Sequence, residues 1–142
     1  MDYPPNLALA ISGGSLIIPA VYGFYHKKLY GGLSTLFLGI TSIAYHSTHN
    51  KTAEIVDKIA IGNFVLSAYV CSLNNYSDKV FAQVVFTTVF NATVYFLGKK
   101  YNILCFDPNM RVQGLYHMLI HFFSAHTSYI YLTAPLIATL LP

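Results

Sequence analysis

Long apolar intervals alternate with short charged segments along this chain. Lys, Arg, Asp and Glu are absent from five intervals of about 20 residues or more, namely 3–26, 29–50, 59–77, 80–98 and 112–142. A helix needs about 20 apolar residues to cross the hydrocarbon core of a bilayer, because each residue advances it by about 1.5 Å. The pattern therefore predicts an all-α integral membrane protein, a single domain over residues 1–142 built as a bundle of about five transmembrane helices. The predicted spans lie at about 7–25, 29–47, 54–74, 79–97 and 112–132.

The composition supports this prediction and excludes several other classes of protein. Hydrophobic residues make up 55% of the 142 residues and charged residues 9%, whereas soluble domains usually contain about 25% charged residues. The net charge of +3 comes from eight Lys and Arg residues distributed over the loops. This basic charge suits contact with lipid headgroups. It forms no stripe long enough to follow a phosphate backbone, so no nucleic-acid partner is expected.

The basic residues also predict how the helices are oriented. An odd number of helices places the two termini on opposite sides of the membrane. The predicted loops on the N-terminal side carry five Lys or Arg residues, against three on the other side. The positive-inside rule then predicts a multi-pass protein with a cytoplasmic N-terminus. In this topology Asn75 is the sequon residue that would be available for glycosylation.

Five polar residues lie close to one predicted membrane face: Ser42, His46, Asp57, His117 and His121. The spacing of four residues places Ser42 and His46 on one helical face, and His117 and His121 on another. The second predicted helix ends, and the third and fifth begin, on the same side of the membrane. All five residues should therefore lie at similar depth. Ionisable groups within membrane spans cost a few kcal/mol, so such a set is usually paired or functional.

These residue types match the requirements of a catalytic zinc site. Zinc in such sites is held by three protein ligands, with a fourth position open to water. The metal makes water more acidic and polarises a carbonyl. In this interpretation His46, His117 and His121 bind Zn²⁺, Asp57 acts as general base, and Ser42 orients the water or the developing oxyanion.

Other interpretations of the same residues remain open. His46 could cap carbonyls at its helix end, and Asp57 could be a favourable anion in the first turn of its helix. The histidines could bind haem from two sides in a membrane redox protein. The protein could also be a non-enzymatic scaffold, or be receptor-like, with a structural zinc site. Neither His49, in a predicted loop, nor His126, about 140° around the helix from His121, is expected at the shared face.

The motifs around these residues resemble those of a known superfamily. The segments SIAYH at 42–46, EIVDKIAI at 54–61 and YHMLIH at 116–121 resemble the CREST superfamily of membrane hydrolases. This superfamily includes the alkaline ceramidases, the PAQR adiponectin and progestin receptors, and related membrane proteins. Its signature is S-x-x-x-H near the end of an early helix, an Asp that opens the next helix, and H-x-x-x-H on the last helix. The quoted segments resemble both the ceramidase and the PAQR branches.

The resemblance implies a function and a set of roles. His46, His117 and His121 would hold zinc, while Asp57 and Ser42 would activate or hold its water. The implied reaction is hydrolysis of an amide in a ceramide-like lipid, which releases a fatty acid and a sphingoid base. Superfamily members usually have seven helices, whereas this chain has room for five and would be a compact version. Assembly as a homo-oligomer is one way in which five helices could enclose a ceramide-sized cavity.

Overall fold

The protein is an all-α bundle. In the computed structural model, which describes residues 6–48, 50–75 and 77–135, the regular elements are six α-helices and one short 3-10 helix. In chain order they are α1 Leu7–Gly14, α2 Ile17–Tyr25, α3 Leu29–Thr48, α4 Lys51–Leu73, α5 Asp78–Tyr101, the 3-10 helix Leu104–Phe106, and α6 Met110–Thr133. The fold class expected from the hydropathy pattern is confirmed.

The first predicted span is divided into two helices. The turn between α1 and α2 lies at Ser15 and Leu16, shortly before Pro19. Proline has no N–H to donate to the carbonyl four residues earlier, which here is that of Ser15. The α-helical hydrogen-bonding pattern is therefore interrupted at this turn. The first predicted span therefore contains a break that leaves α1 as a separate helix of eight residues.

Three predicted helix boundaries differ from the structure. α4 begins at Lys51 rather than near residue 54, because the Asn50 side chain caps the helix by accepting a hydrogen bond from the Thr52 N–H at 2.7 Å. α5 continues past the expected end near residue 97 to Tyr101 and stops where Asn102 takes a left-handed conformation, with φ of 53°. α6 starts at Met110, two residues earlier than expected, and ends at Thr133. Residues 136–142 of the apolar tail lie outside the described part of the chain.

Among the described residues, three segments are long and apolar enough to cross a membrane: Leu7–Tyr25, Lys51–Leu73 and Asp78–Tyr101. The first comprises α1 and α2 together. α3 and α6 are also long, with 20 and 24 residues. Both carry many hydroxyl and histidine side chains, which lower their hydropathy. The structure thus supports a membrane protein, and the two more polar helices are the ones that carry the histidines discussed below.

Small residues bring the first two helices close to α3. A Cβ added to Gly23 would lie 3.0 Å from the Cα of Gly32, and one added to Gly39 would lie 3.3 Å from the Cβ of Leu16. The glycines therefore allow direct contact between helix backbones, as expected for membrane bundles. Leu16 also belongs to a buried apolar cluster with Leu38, Ala60 and Phe64. This cluster joins the start of α2 to α3 and α4.

A buried lysine connects loops at the end of the bundle where α3 begins. The Lys28 amine donates hydrogen bonds to the Asn75 side-chain oxygen at 2.9 Å, to the Tyr131 carbonyl at 2.7 Å, and to the Ala134 carbonyl. Burial lowers the pKa of Lys28 from its ordinary value, but three acceptors match the three N–H groups of an ammonium. The Asn75 amide also donates to Tyr131 and is buried. In the folded protein this sequon residue is therefore not accessible for glycosylation.

Candidate metal centre

Three histidines from two helices lie together inside the bundle. His46 lies two residues before the end of α3, and His117 and His121 lie on successive turns of α6. One ring nitrogen from each lies within 4.8 Å of the others, so the group could hold a metal ion. The spacing of four residues along α6 explains why His117 and His121 face the same way. The convergence of these residues was expected from the predicted topology.

The rings pack edge to face. Their centroids are 4.7 Å apart for His46 and His117, 5.3 Å for His46 and His121, and 5.1 Å for His117 and His121. His46 and His121 are only 2% and 7% exposed, whereas His117 is half-buried. The cluster is therefore closed on the side of His121 and accessible on the side of His117.

Ser42 lies directly against the histidine cluster. Its hydroxyl oxygen is 3.2 Å from Nε2 of His121, and its side chain is almost completely buried. Ser42 lies one turn before His46 on α3, so the two residues share the helical face that points toward α6. The structure therefore brings together four of the five residues that the sequence indicated.

Asp57, the fifth residue, lies on the buried face of α4. Asp57 is only 8% exposed, and its carboxylate accepts a hydrogen bond from the Thr41 hydroxyl at 2.9 Å. Thr41 immediately precedes Ser42 on α3. The carboxylate is not part of the group of mutually close ligand atoms. Asp57 therefore does not join the three histidines as a fourth ligand of the group.

Helix α1 contributes contacts to the site that the sequence did not reveal. The Ser12 hydroxyl oxygen lies 2.8 Å from Nδ1 of His121. At Gly13, an added Cβ would lie 2.6 Å from the Ser42 hydroxyl oxygen. The backbone N–H of Asn6 donates to the carbonyl of His46 at 2.9 Å. No pattern in the sequence linked Ser12 to a histidine more than 100 residues away.

The remaining polar residues of this region lie elsewhere. His126 is exposed on α6, in agreement with its exclusion on sequence grounds. His26 is exposed at the end of α2. Glu54 lies in the first turn of α4 and pairs with Lys58 on the surface. His49 lies outside the described residues.

Comparisons with known proteins add no further information. No family model, curated protein or solved structure matches this chain. The interpretation of the site therefore depends on its own geometry.

The donor set itself fits a metal ion. Three imidazoles provide neutral nitrogen donors, which suit zinc and other first-row transition metals. A tetrahedral zinc ion with Zn–N distances of about 2.0–2.1 Å would hold these nitrogens roughly 3.3 Å apart. The observed separations, all within 4.8 Å, require side-chain adjustments of about 1 Å. With three protein donors, a metal ion would retain a position for an exogenous ligand.

Proposed function

We propose that this protein is a zinc-dependent membrane lipid hydrolase that cleaves an amide bond in a ceramide-like lipid and releases a fatty acid. The observation that carries the proposal is the group formed by His46, His117 and His121, whose ligand atoms lie within 4.8 Å of one another. Three histidines with a position left open are typical of catalytic rather than structural zinc sites.

The residues around the histidines have the chemistry that hydrolysis needs. A bound zinc ion supplies a Lewis acid that polarises the scissile carbonyl and lowers the pKa of water. In this proposal Asp57 accepts a proton from the attacking water. Its bond from Thr41 fixes the orientation of the carboxylate, and burial removes competing solvent. Ser42 can donate a hydrogen bond to the developing oxyanion, because its hydroxyl oxygen lies 3.2 Å from Nε2 of His121.

The membrane setting and the motif resemblance suggest the substrate class. Lipid substrates reach an enzyme within the bilayer, and three segments of the described chain are apolar enough to lie there. We propose that α3 and α6 also cross the membrane, which gives five passes with the N-terminus in the cytoplasm. The S-x-x-x-H, Asp and H-x-x-x-H pattern resembles that of the CREST superfamily, whose ceramidase branch hydrolyses lipid amides. The accessible side of the cluster, at His117, is where a lipid headgroup would enter.

The geometry favours a small ion over haem. Axial haem ligands face each other across the macrocycle, so two histidines must leave a slot for its plane. The three rings here contact one another edge to face at centroid distances of 4.7–5.3 Å. A macrocycle between His46 and either histidine of α6 would require α3 and α6 to separate.

The central experiment measures lipid hydrolysis and metal content on the same samples. Purified protein in liposomes is given a panel of ceramides, and fatty-acid release is quantified for the wild type and Asp57→Asn. We expect the variant to retain its metal and to lose at least about 100-fold in turnover, as for loss of a general base. Asp78→Asn, which changes an exposed carboxylate at the start of α5, is the matched control and should behave as the wild type.

Each other outcome has a clear meaning. If Asp57→Asn releases fatty acid at the wild-type rate, Asp57 is not the general base. If the wild type binds zinc but releases no fatty acid from any ceramide, the amidase proposal is wrong and a structural zinc site in a scaffold or receptor-like protein is favoured. A Soret absorption band in the purified protein would overturn the zinc assignment.

A further inference from the structure

The hydroxyl of Ser12 makes two contacts that together constrain the protonation of His121. Its oxygen lies 2.9 Å from the carbonyl oxygen of Leu9 and 2.8 Å from Nδ1 of His121. A serine hydroxyl has one proton to donate, whereas a carbonyl oxygen can only accept. The proton of Ser12 therefore points to Leu9, and the lone pairs of its oxygen face the imidazole.

We infer that Ser12 is a positioning residue that holds His121 in the tautomer with the proton on Nδ1, which leaves Nε2 unprotonated for the metal. This inference rests on the proposed metal site and adds a residue to it. In a neutral histidine one ring nitrogen carries the proton, and the hydrogen bond made by that nitrogen determines which one it is. Nδ1 donates to Ser12, so Nε2 retains its lone pair.

The opposite side of the ring agrees with this assignment. Ser42 lies 3.2 Å from Nε2, and in the metal-free protein its hydroxyl can donate to that nitrogen. Both ring nitrogens are then satisfied within a site where His121 is only 7% exposed. The reverse tautomer would turn the Ser12 proton away from Leu9 and would place a proton where the metal ligand atom is needed.

The position of Ser12 is fixed by the packing of α1. Asn6 caps α1 by accepting a hydrogen bond from the Leu9 N–H at 3.2 Å, and its own N–H donates to the carbonyl of His46. Gly13 allows α1 to lie against Ser42. α1 therefore docks on both α3 and α6, and Ser12 lies where it can orient the ring of His121. Such hydrogen bonds to metal ligands typically change metal affinity by about 10- to 100-fold.

The first test determines the tautomer directly. In metal-free wild-type protein, ¹⁵N NMR of the imidazole rings distinguishes protonated from unprotonated nitrogens, and comparison with His121→Ala identifies the His121 signals. We expect a protonated Nδ1 and an unprotonated Nε2. A protonated Nε2 overturns the inference. This measurement needs no bound metal and no activity, and it remains decisive if substitutions at Ser12 prevent folding.

The second test measures metal binding by chelator competition and by the visible spectrum of the cobalt-substituted protein. Ser12→Ala should weaken Zn²⁺ affinity by about 10- to 100-fold and change the cobalt spectrum, and Ser12→Thr, which keeps the hydroxyl, should restore both. Ser15→Ala is the matched control, because the Ser15 hydroxyl donates to the Ser12 carbonyl rather than to a histidine. It should leave both readouts unchanged.

The outcomes separate the two proposals. If His121→Ala removes the metal but Ser12→Ala changes neither affinity nor spectrum, the inference about Ser12 is wrong and the metal site stands. A lower unfolding temperature of Ser12→Ala with unchanged metal binding would likewise indicate a structural role only. If His121→Ala leaves metal binding unchanged, the metal site itself is wrong.

Discussion

Gly13→Ala tests whether the close contact between α1 and α3 builds the site. A Cβ at residue 13 would lie 2.6 Å from the hydroxyl oxygen of Ser42 and 3.0 Å from its Cβ, which is well inside van der Waals contact. Rotation of the Ser42 side chain cannot relieve the contact with its Cβ, so α1 must move away from α3. This movement takes Ser12 away from Nδ1 of His121. We therefore expect Zn²⁺ affinity to fall by about tenfold or more.

The expected effect on stability follows from two opposing terms. Overpacking of this kind costs about 1–3 kcal/mol, and replacing glycine by alanine in a helix gains about 0.5–1 kcal/mol. The free energy of unfolding should therefore fall by at most about 2.5 kcal/mol, which the fold can tolerate. The site would be damaged more than the bundle.

The neighbouring glycine provides the control. A Cβ at Gly14 would meet Cδ1 of Ile43 at 3.5 Å, an ordinary contact, so Gly14→Ala should change stability by less than about 1 kcal/mol and leave metal affinity unchanged. Thermal unfolding in detergent and chelator competition measure both quantities. Equal metal affinity in the two variants would refute the role assigned to the α1–α3 contact.

Three further predictions concern other parts of the molecule. Lys28→Met should lower the free energy of unfolding by about 2–4 kcal/mol, because it leaves buried acceptors without a donor. The control is Lys27→Met, which changes an exposed lysine. Equal unfolding temperatures of the two variants would contradict the prediction. In the presence of metal at 1,000 times its Kd, the wild type should have a free energy of unfolding about 4 kcal/mol higher than after the metal is removed with a chelator. The chelator should not change the free energy of unfolding of His121→Ala. A decrease of equal size in that variant would exclude His121 as a ligand. Asn75 should remain unmodified in a glycosylating host, since its amide is buried and hydrogen-bonded; a mobility shift reversed by an endoglycosidase would show otherwise.

The sequence was sufficient to predict the helices and the meeting of the histidines. Charge-free intervals of membrane-spanning length predicted the elements, and the spacing of four residues placed His117 and His121 on one face. Alternation of helix direction then brought His46 to the same end of the bundle. Each of these steps depends on local periodicity or on chain direction, and both can be read without knowing how side chains pack.

The partners of the predicted residues could not be read in the same way. Which hydroxyl meets Nδ1 of His121 depends on the rotation of α1 against α6, which is set by contacts between residues more than 100 positions apart. The contact between Asp57 and Thr41 likewise depends on how α3 and α4 pack. The sequence likewise did not show that α1 would end at Gly14 and become a separate part of the site.

Metal analysis of purified variants tests the central claim most directly. The wild type should contain about one Zn²⁺ per chain, and His46→Ala, His117→Ala and His121→Ala should each lose most of it, because two remaining histidines do not complete a three-ligand site. His126→Ala changes an exposed histidine on the same helix as two of the ligands and should retain the metal. Full zinc content in all three site variants, or its loss in His126→Ala, would contradict the proposed metal centre.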